Sequence, residues 1–164
     1  MALGTSLVRV EPAQLEDKEM TIENWKEELT GVLSGISGIE EVRAYDDLPG
    51  QIVVSPTLIW FPVSGPQSYG MGSPAIAFHR VQLSLFISVA LLPEGVGRAV
   101  PFIAKVRNEL AQHIQLGGTV TQMIPDPNGN YYEGPATMMY GDRTYTGVNF
   151  YIEVKEVERI AVHA

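Results

Sequence analysis

His79-Arg-Val-Gln-Leu-Ser-Leu-Phe-Ile-Ser-Val-Ala-Leu91 is the stretch on which the fold turns. Val81, Leu83, Leu85, Ile87 and Val89 alternate with Gln82, Ser84 and Ser88. That period of two puts the apolar side chains on one face of a β-strand. Phe86 and Ala90 break the polar row, so the other face is expected to be partly covered too. A second strand of the same kind closes the chain, where Val148, Phe150, Ile152 and Val154 alternate with Asn149, Tyr151, Glu153 and Lys155. Two such strands imply a sheet, and its apolar face needs another layer to bury it.

That layer is written in a different period. Ile22, Trp25, Leu29, Val32, Leu33 and Ile36 recur at helical spacing behind Thr21 as N-cap, with Met20 and Trp25 placed for a hydrophobic staple and Gly35 and Gly38 as stops. Val100, Phe102, Ile103, Val106, Leu110 and Ile114 form a second helical stripe, ended by Gly117-Gly118. Pro101 belongs in a first turn, which puts the start of this helix close to it. Shorter strands are expected at 42–45, 57–63, 119–124 and 136–140, with turns at 46–50, 93–95, 125–130 and 141–143. Residues 64–74 hold three Gly, two Pro and three Ser around Tyr69 and Met71 and read as a long loop.

The order is therefore an N-terminal arm over residues 1–19, then helix, three strands, helix and three strands within one domain over residues 20–160. Strands and helices do not alternate as in a doubly wound parallel sheet. The fold class expected is α+β: a mainly antiparallel β-sheet with two α-helices packed on one face. A chain of 164 residues, 45% hydrophobic and 18% charged, suits one such core.

Composition removes several functions. With no cysteine there are no disulfides, thiolate metal sites or cysteine nucleophiles. A formal charge of −8 argues against specific nucleic-acid binding, which draws its affinity from Lys and Arg. The most apolar stretch, residues 81–92, is too short and too polar to cross a membrane, and the N-terminus has no basic start followed by an apolar block.

The motifs are equally plain. His79, His113 and His163 show no spacing that sets two ligands on one helical face, so no metal is expected. Asp126-Pro127-Asn128-Gly129-Asn130 begins like a calcium loop, but position twelve is Thr137 and the Gly comes early; a hairpin turn on Asn128-Gly129 fits better. Gly70-Met71-Gly72 and Gly95-Val96-Gly97 lack the rest of a phosphate loop, and Asp46-Asp47 sits on a solvated turn. No catalytic residue, no cofactor and no enzymatic activity are expected. The aromatics Trp60, Phe61, Tyr131, Tyr132, Tyr140, Tyr145 and Tyr151 serve mostly as core, and some are left to face a partner. Trp60, Tyr131 and Tyr132, with Tyr69 and Met71 in the loop, are the candidate assembly contacts.

Taken together, the N-terminal amphipathic helix, Tyr45-Asp46-Asp47-Leu48-Pro49, Thr57-Leu58-Ile59-Trp60-Phe61-Pro62, the alternating strand over 81–89, Leu92-Pro93-Glu94-Gly95 before the second helix, and the closing segment from Tyr145 to Val154 resemble the tail terminator, or tail completion, proteins of long-tailed bacteriophages. The resemblance covers residues 20–158. It implies a structural virion protein, assembled in the host cytoplasm and located in the tail or neck. Such a subunit forms a homo-hexameric ring at the head-proximal end of the tail tube, ends tube polymerisation and offers a docking face to the head–tail connector protein. DNA passes through such a ring without being read. The family supplies no active-site residues. Other readings of the same residues are a different phage neck or head–tail connector protein, a small-ligand-binding or enzymatic α+β domain, and a cellular interaction module.

Overall fold

A computed structural model describes residues 22–52, 56–65, 67–68, 75–89, 93–125 and 131–158. The fold is α+β, with one sheet and two α-helices packed on one of its faces. A 3-10 turn over Ile22–Asn24 leads into α1 (Lys26–Ser34), and α2 spans Glu94–Ala111. The strands are β1 (Glu41–Arg43), β2 (Thr57–Ser64), β3 (Gln67–Ser68), β4 (Ala75–Ser88), β5 (Gln122–Pro125), β6 (Tyr132–Tyr140) and β7 (Arg143–Glu158).

Along the sheet the order is β1-β2-β4-β7-β5, with β3 also on β4 and β6 also on β7. Among the described strands only β1 and β2 run parallel. The two alternating segments of the sequence are the central pair: Val81 lies opposite Ile152, Leu83 opposite Phe150 and Leu85 opposite Val148. Their apolar sides face the same way, and α1 and α2 bury them. Trp25, Leu29, Leu85, Ile87, Val106 and Leu110 belong to one core cluster, as the two periods require. The indole of Trp25 stacks on that of Trp60 at 5.8 Å, and Trp60 Nε1 donates to Thr30 Oγ1 at 3.1 Å, fixing α1 on β2.

Several boundaries differ from the sequence expectation. The second helix begins at Glu94, and Pro101 lies inside it. Proline removes one intrahelical donor, and both Pro101 and Gly97, four residues before it, are exposed, so the freed carbonyl faces water. The strand expected over 119–124 is confined to Gln122–Pro125, because a 3-10 turn at Leu116–Gly118 precedes it. The strand expected over 136–140 starts at Tyr132 and crosses a register irregularity between Glu133 and Ala136, beside the cis Gly134–Pro135 bond. Part of the expected loop over 64–74 is ordered strand: Ser64 closes β2, and Gln67 and Ser68 pair with Ala77 and Ile76. The N-terminal arm, Thr21 and the Asn128-Gly129 turn lie outside the described residues.

Candidate interaction surface

The second face of the sheet carries no helix among the described residues; what packs on it is a segment over 48–52 and the sheet's own side chains. Ile52, Ile59, Phe86 and Tyr145 form a small second core there, with Phe61, Met138 and Tyr140 against it. Phe86, the apolar residue in the polar row of β4, is the hub. The rings of Tyr140 and Tyr145 meet it edge-on, each at 5.6 Å. Both tyrosines also tie down the segment over 48–52, for Tyr145 donates its hydroxyl to the Ile52 carbonyl at 3.3 Å and Tyr140 to the Pro49 carbonyl.

Beside this cluster runs an open groove of about 430 Å³, lined by Leu48, Ile59, Phe61, Phe86, Met138, Met139 and Tyr140. Gln82, Ser84 and Asn149 line it too and form a polar floor. The Ser84 hydroxyl donates to Asn149 Oδ1 at 2.7 Å, and Gln82 Nε2 donates to the same oxygen at 3.3 Å and to Ser84 Oγ at 3.0 Å. The Asn149 amide nitrogen and the Gln82 carbonyl oxygen take no part in these bonds. They give the floor one donor and one acceptor, the complement of a peptide group. Ser84 donates to an amide oxygen, which is not a base that takes up its proton. Leu48 and Met139 are exposed at 47% and 69%, and methionine adapts to irregular partner surfaces.

Further along the same face the chemistry becomes charged. The Arg80 guanidinium lies 4.4 Å over the Tyr151 ring, and the Tyr151 hydroxyl donates to Glu133 Oε1 at 2.6 Å. Burial, then the neighbouring carboxylate, push the Tyr151 phenol above its ordinary range. The Lys155 ammonium stands 5.9 Å from the Phe78 ring.

A separate enclosed hollow of about 140 Å³ lies between the end of α2 and β5, lined by Arg107, Leu110, Ile114, Met123, Tyr131 and Ile152, among others. The Tyr131 hydroxyl is buried without a hydrogen-bond partner among the described residues. Burial drives its phenol well above the ordinary range, against a small opposing effect from Arg107.

The structure sorts the candidate contacts. Trp60 must be withdrawn: it is 0% exposed, stacked on Trp25, and its strand position points under the helices. Tyr131 is half-buried and Tyr132 is 42% exposed, their rings 6.0 Å apart, near the hollow and not in the groove. Tyr69 and Met71 lie outside the described residues. The groove itself went unread in the sequence, although Phe86 in a polar row and the adjacent Met138 and Met139, the first half-buried and the second exposed, are its signals. Of the described histidines, His79 sits on the helix-covered face with Nε2 at 2.8 Å from Glu156 Oε2, and His113 Nε2 lies 3.3 Å from Glu109 Oε2 one helical turn back. No helix among the described residues is long and apolar enough to cross a membrane.

No protein-family model and no curated protein matches this chain. The reading of function therefore rests on the residues and on the surface just described.

Proposed function

We propose that this protein is a structural subunit of a bacteriophage tail, a tail terminator that forms a six-membered ring on the head-proximal end of the tail tube and docks the head–tail connector. The observation that carries the reading is the second sheet face, which carries no helix among the described residues: the domain buries one face of its sheet under helices and leaves on the other an apolar groove with a peptide-like polar floor. A monomeric enzyme has no use for such a strip unless it holds a ligand, whereas a subunit packed between neighbours and a tube does. The resemblance of residues 20–158 to tail terminators names the assembly, and the acidic balance of the chain suits the wall of a passage to which DNA must not adhere.

Mixing the protein with its cognate tail tube protein tests this. Tubes polymerised with it should end in a six-fold ring seen end-on by electron microscopy, and their lengths should stop growing. Tubes that lengthen without limit in its presence, and carry no added density at either end, would overturn the reading.

A further inference from the structure

Four strands have a single partner among the described residues and so lie at an edge of the sheet: β1 pairs only with β2, β3 only with β4, and β5 and β6 only with β7. Each leaves backbone donors and acceptors facing outward, a template for another strand. On β1 that hazard is blunted. The strand is three residues long, and Arg43 is bound by Glu41 at 2.7 Å and by Asp47 at 3.1 Å. β3 has two residues and β5 four, the last of them Pro125, whereas among the described residues nothing comparable protects β6. Beyond the irregularity at Gly134–Pro135, Ala136-Thr137-Met138-Met139-Tyr140 runs in regular register with β7 and contains no charge, Gly or Pro. Natural edges of this kind are charged, interrupted or covered unless they pair.

We propose that residues 136–140 are a self-pairing edge, by which β6 of one subunit adds antiparallel to β6 of a second copy about a twofold axis at Met138. A contact of this symmetry must be complementary to itself, and this run is. The axis at Met138 sets Thr137 opposite Met139 and Ala136 opposite Tyr140, so Met139 and Tyr140 each meet a short side chain while Met138 meets its own copy. The charges stand outside the run, with Glu133 at one end and Asp142 and Arg143 at the turn on the other. Antiparallel order brings Glu133 of one copy towards Arg143 of the other, and Arg143 makes no ion pair with another described residue in the single subunit. Met138 and Tyr140 line the groove, so pairing joins two grooves into one apolar strip. Both copies carry a charge of −8; their repulsion is long-range and screened by salt, so the pair tightens as ionic strength rises.

A twofold pair closes at two subunits, whereas a ring needs a head-to-tail contact. The proposal therefore concerns the free protein and stands apart from the ring reading, and an experiment without tube protein separates the two. The cysteine-free chain allows single cysteines to report register. Residues directly opposite in an antiparallel pair have Cβ atoms about 4.5–5.5 Å apart, within reach of a disulfide. Under mild oxidation Met138→Cys should crosslink to itself, and a mixture of Thr137→Cys and Met139→Cys should give the mixed dimer ahead of either homodimer. By sedimentation at about 100 µM, far above a micromolar dissociation constant, the wild type should show the mass of two chains. Met139→Lys, at an exposed site, should weaken the dimer at least tenfold with an unchanged melting temperature. Glu133→Arg should weaken it and Glu133→Arg with Arg143→Glu restore it. A wild type of one-chain mass at that concentration would overturn the proposal. So would a dimer indifferent to Met139→Lys, or preferential crosslinking of Met138→Cys to Arg43→Cys, which marks head-to-tail extension of the sheet through β1.

Discussion

Tyr131 shows how one atom sets a balance of terms. Its ring packs on the core at 5.5 Å from Phe150, while its hydroxyl is buried without a partner among the described residues. An unsatisfied buried hydroxyl costs about 1–3 kcal/mol, so Tyr131→Phe should raise stability by roughly 1 kcal/mol in denaturant titrations. The same burial fixes the pH dependence. Folding holds the phenolic proton to higher pH than the unfolded chain does, so the folded state binds more protons once pH passes the ordinary phenol value of about 10, and stability falls as pH rises from there. Below that window the effect is absent. Tyr131→Phe should flatten this alkaline loss; a phenylalanine variant that unfolds at the same alkaline pH as the wild type would show that the hydroxyl is hydrated or bonded after all. Gly147 illustrates the opposite constraint, a lack of room. A Cβ there would lie 2.3 Å from the Leu85 carbonyl oxygen and 2.8 Å from Met138 Sδ. Gly147→Ala should cost about 1–3 kcal/mol, the range for overpacking, measurable as a lower denaturant midpoint.

At the level of elements, the parts of the fold written in a clean period were legible and the parts set by tertiary context were not. Alternation in β4 and β7 and the helical stripes around Leu29 and Val106 gave the two layers, because one buried face imposes its period on the sequence. Leu85 is fully buried between those layers, so Leu85→Ala should lower stability by about 2–5 kcal/mol; a loss under about 0.5 kcal/mol, the level of surface sites, would place it outside the core. Pro101 misled because a proline rule about donors takes no account of an exposed helix face where water replaces the lost bond. Trp60 misled for a different reason. An aromatic suits a core and an interface equally in sequence, and only the arrival of Trp25 and Thr30 from α1 decides between them. The polar floor was invisible for want of any local signal. Gln82 and Ser84 read as an ordinary solvent row, and Asn149 comes 65 residues after Ser84, so the triad exists only through the β4–β7 register.

For the molecule as a whole, the physical question is why a domain with helices on one side of its sheet leaves the other side, among the described residues, without a helix and partly apolar. Our account is that neighbours cover it: subunits and tube in the assembly. The direct test is hydrogen exchange on β2, β4 and β6, measured on the free protein and on protein bound to tail tubes. We predict that amides flanking the groove, around Phe61, Gln82 and Met138, become at least tenfold slower to exchange on assembly, while those buried under the helices, around Leu29 and Val106, keep their rates. Unchanged exchange along the groove in tubes shown to carry the protein would contradict the account and assign the bare face to solvent.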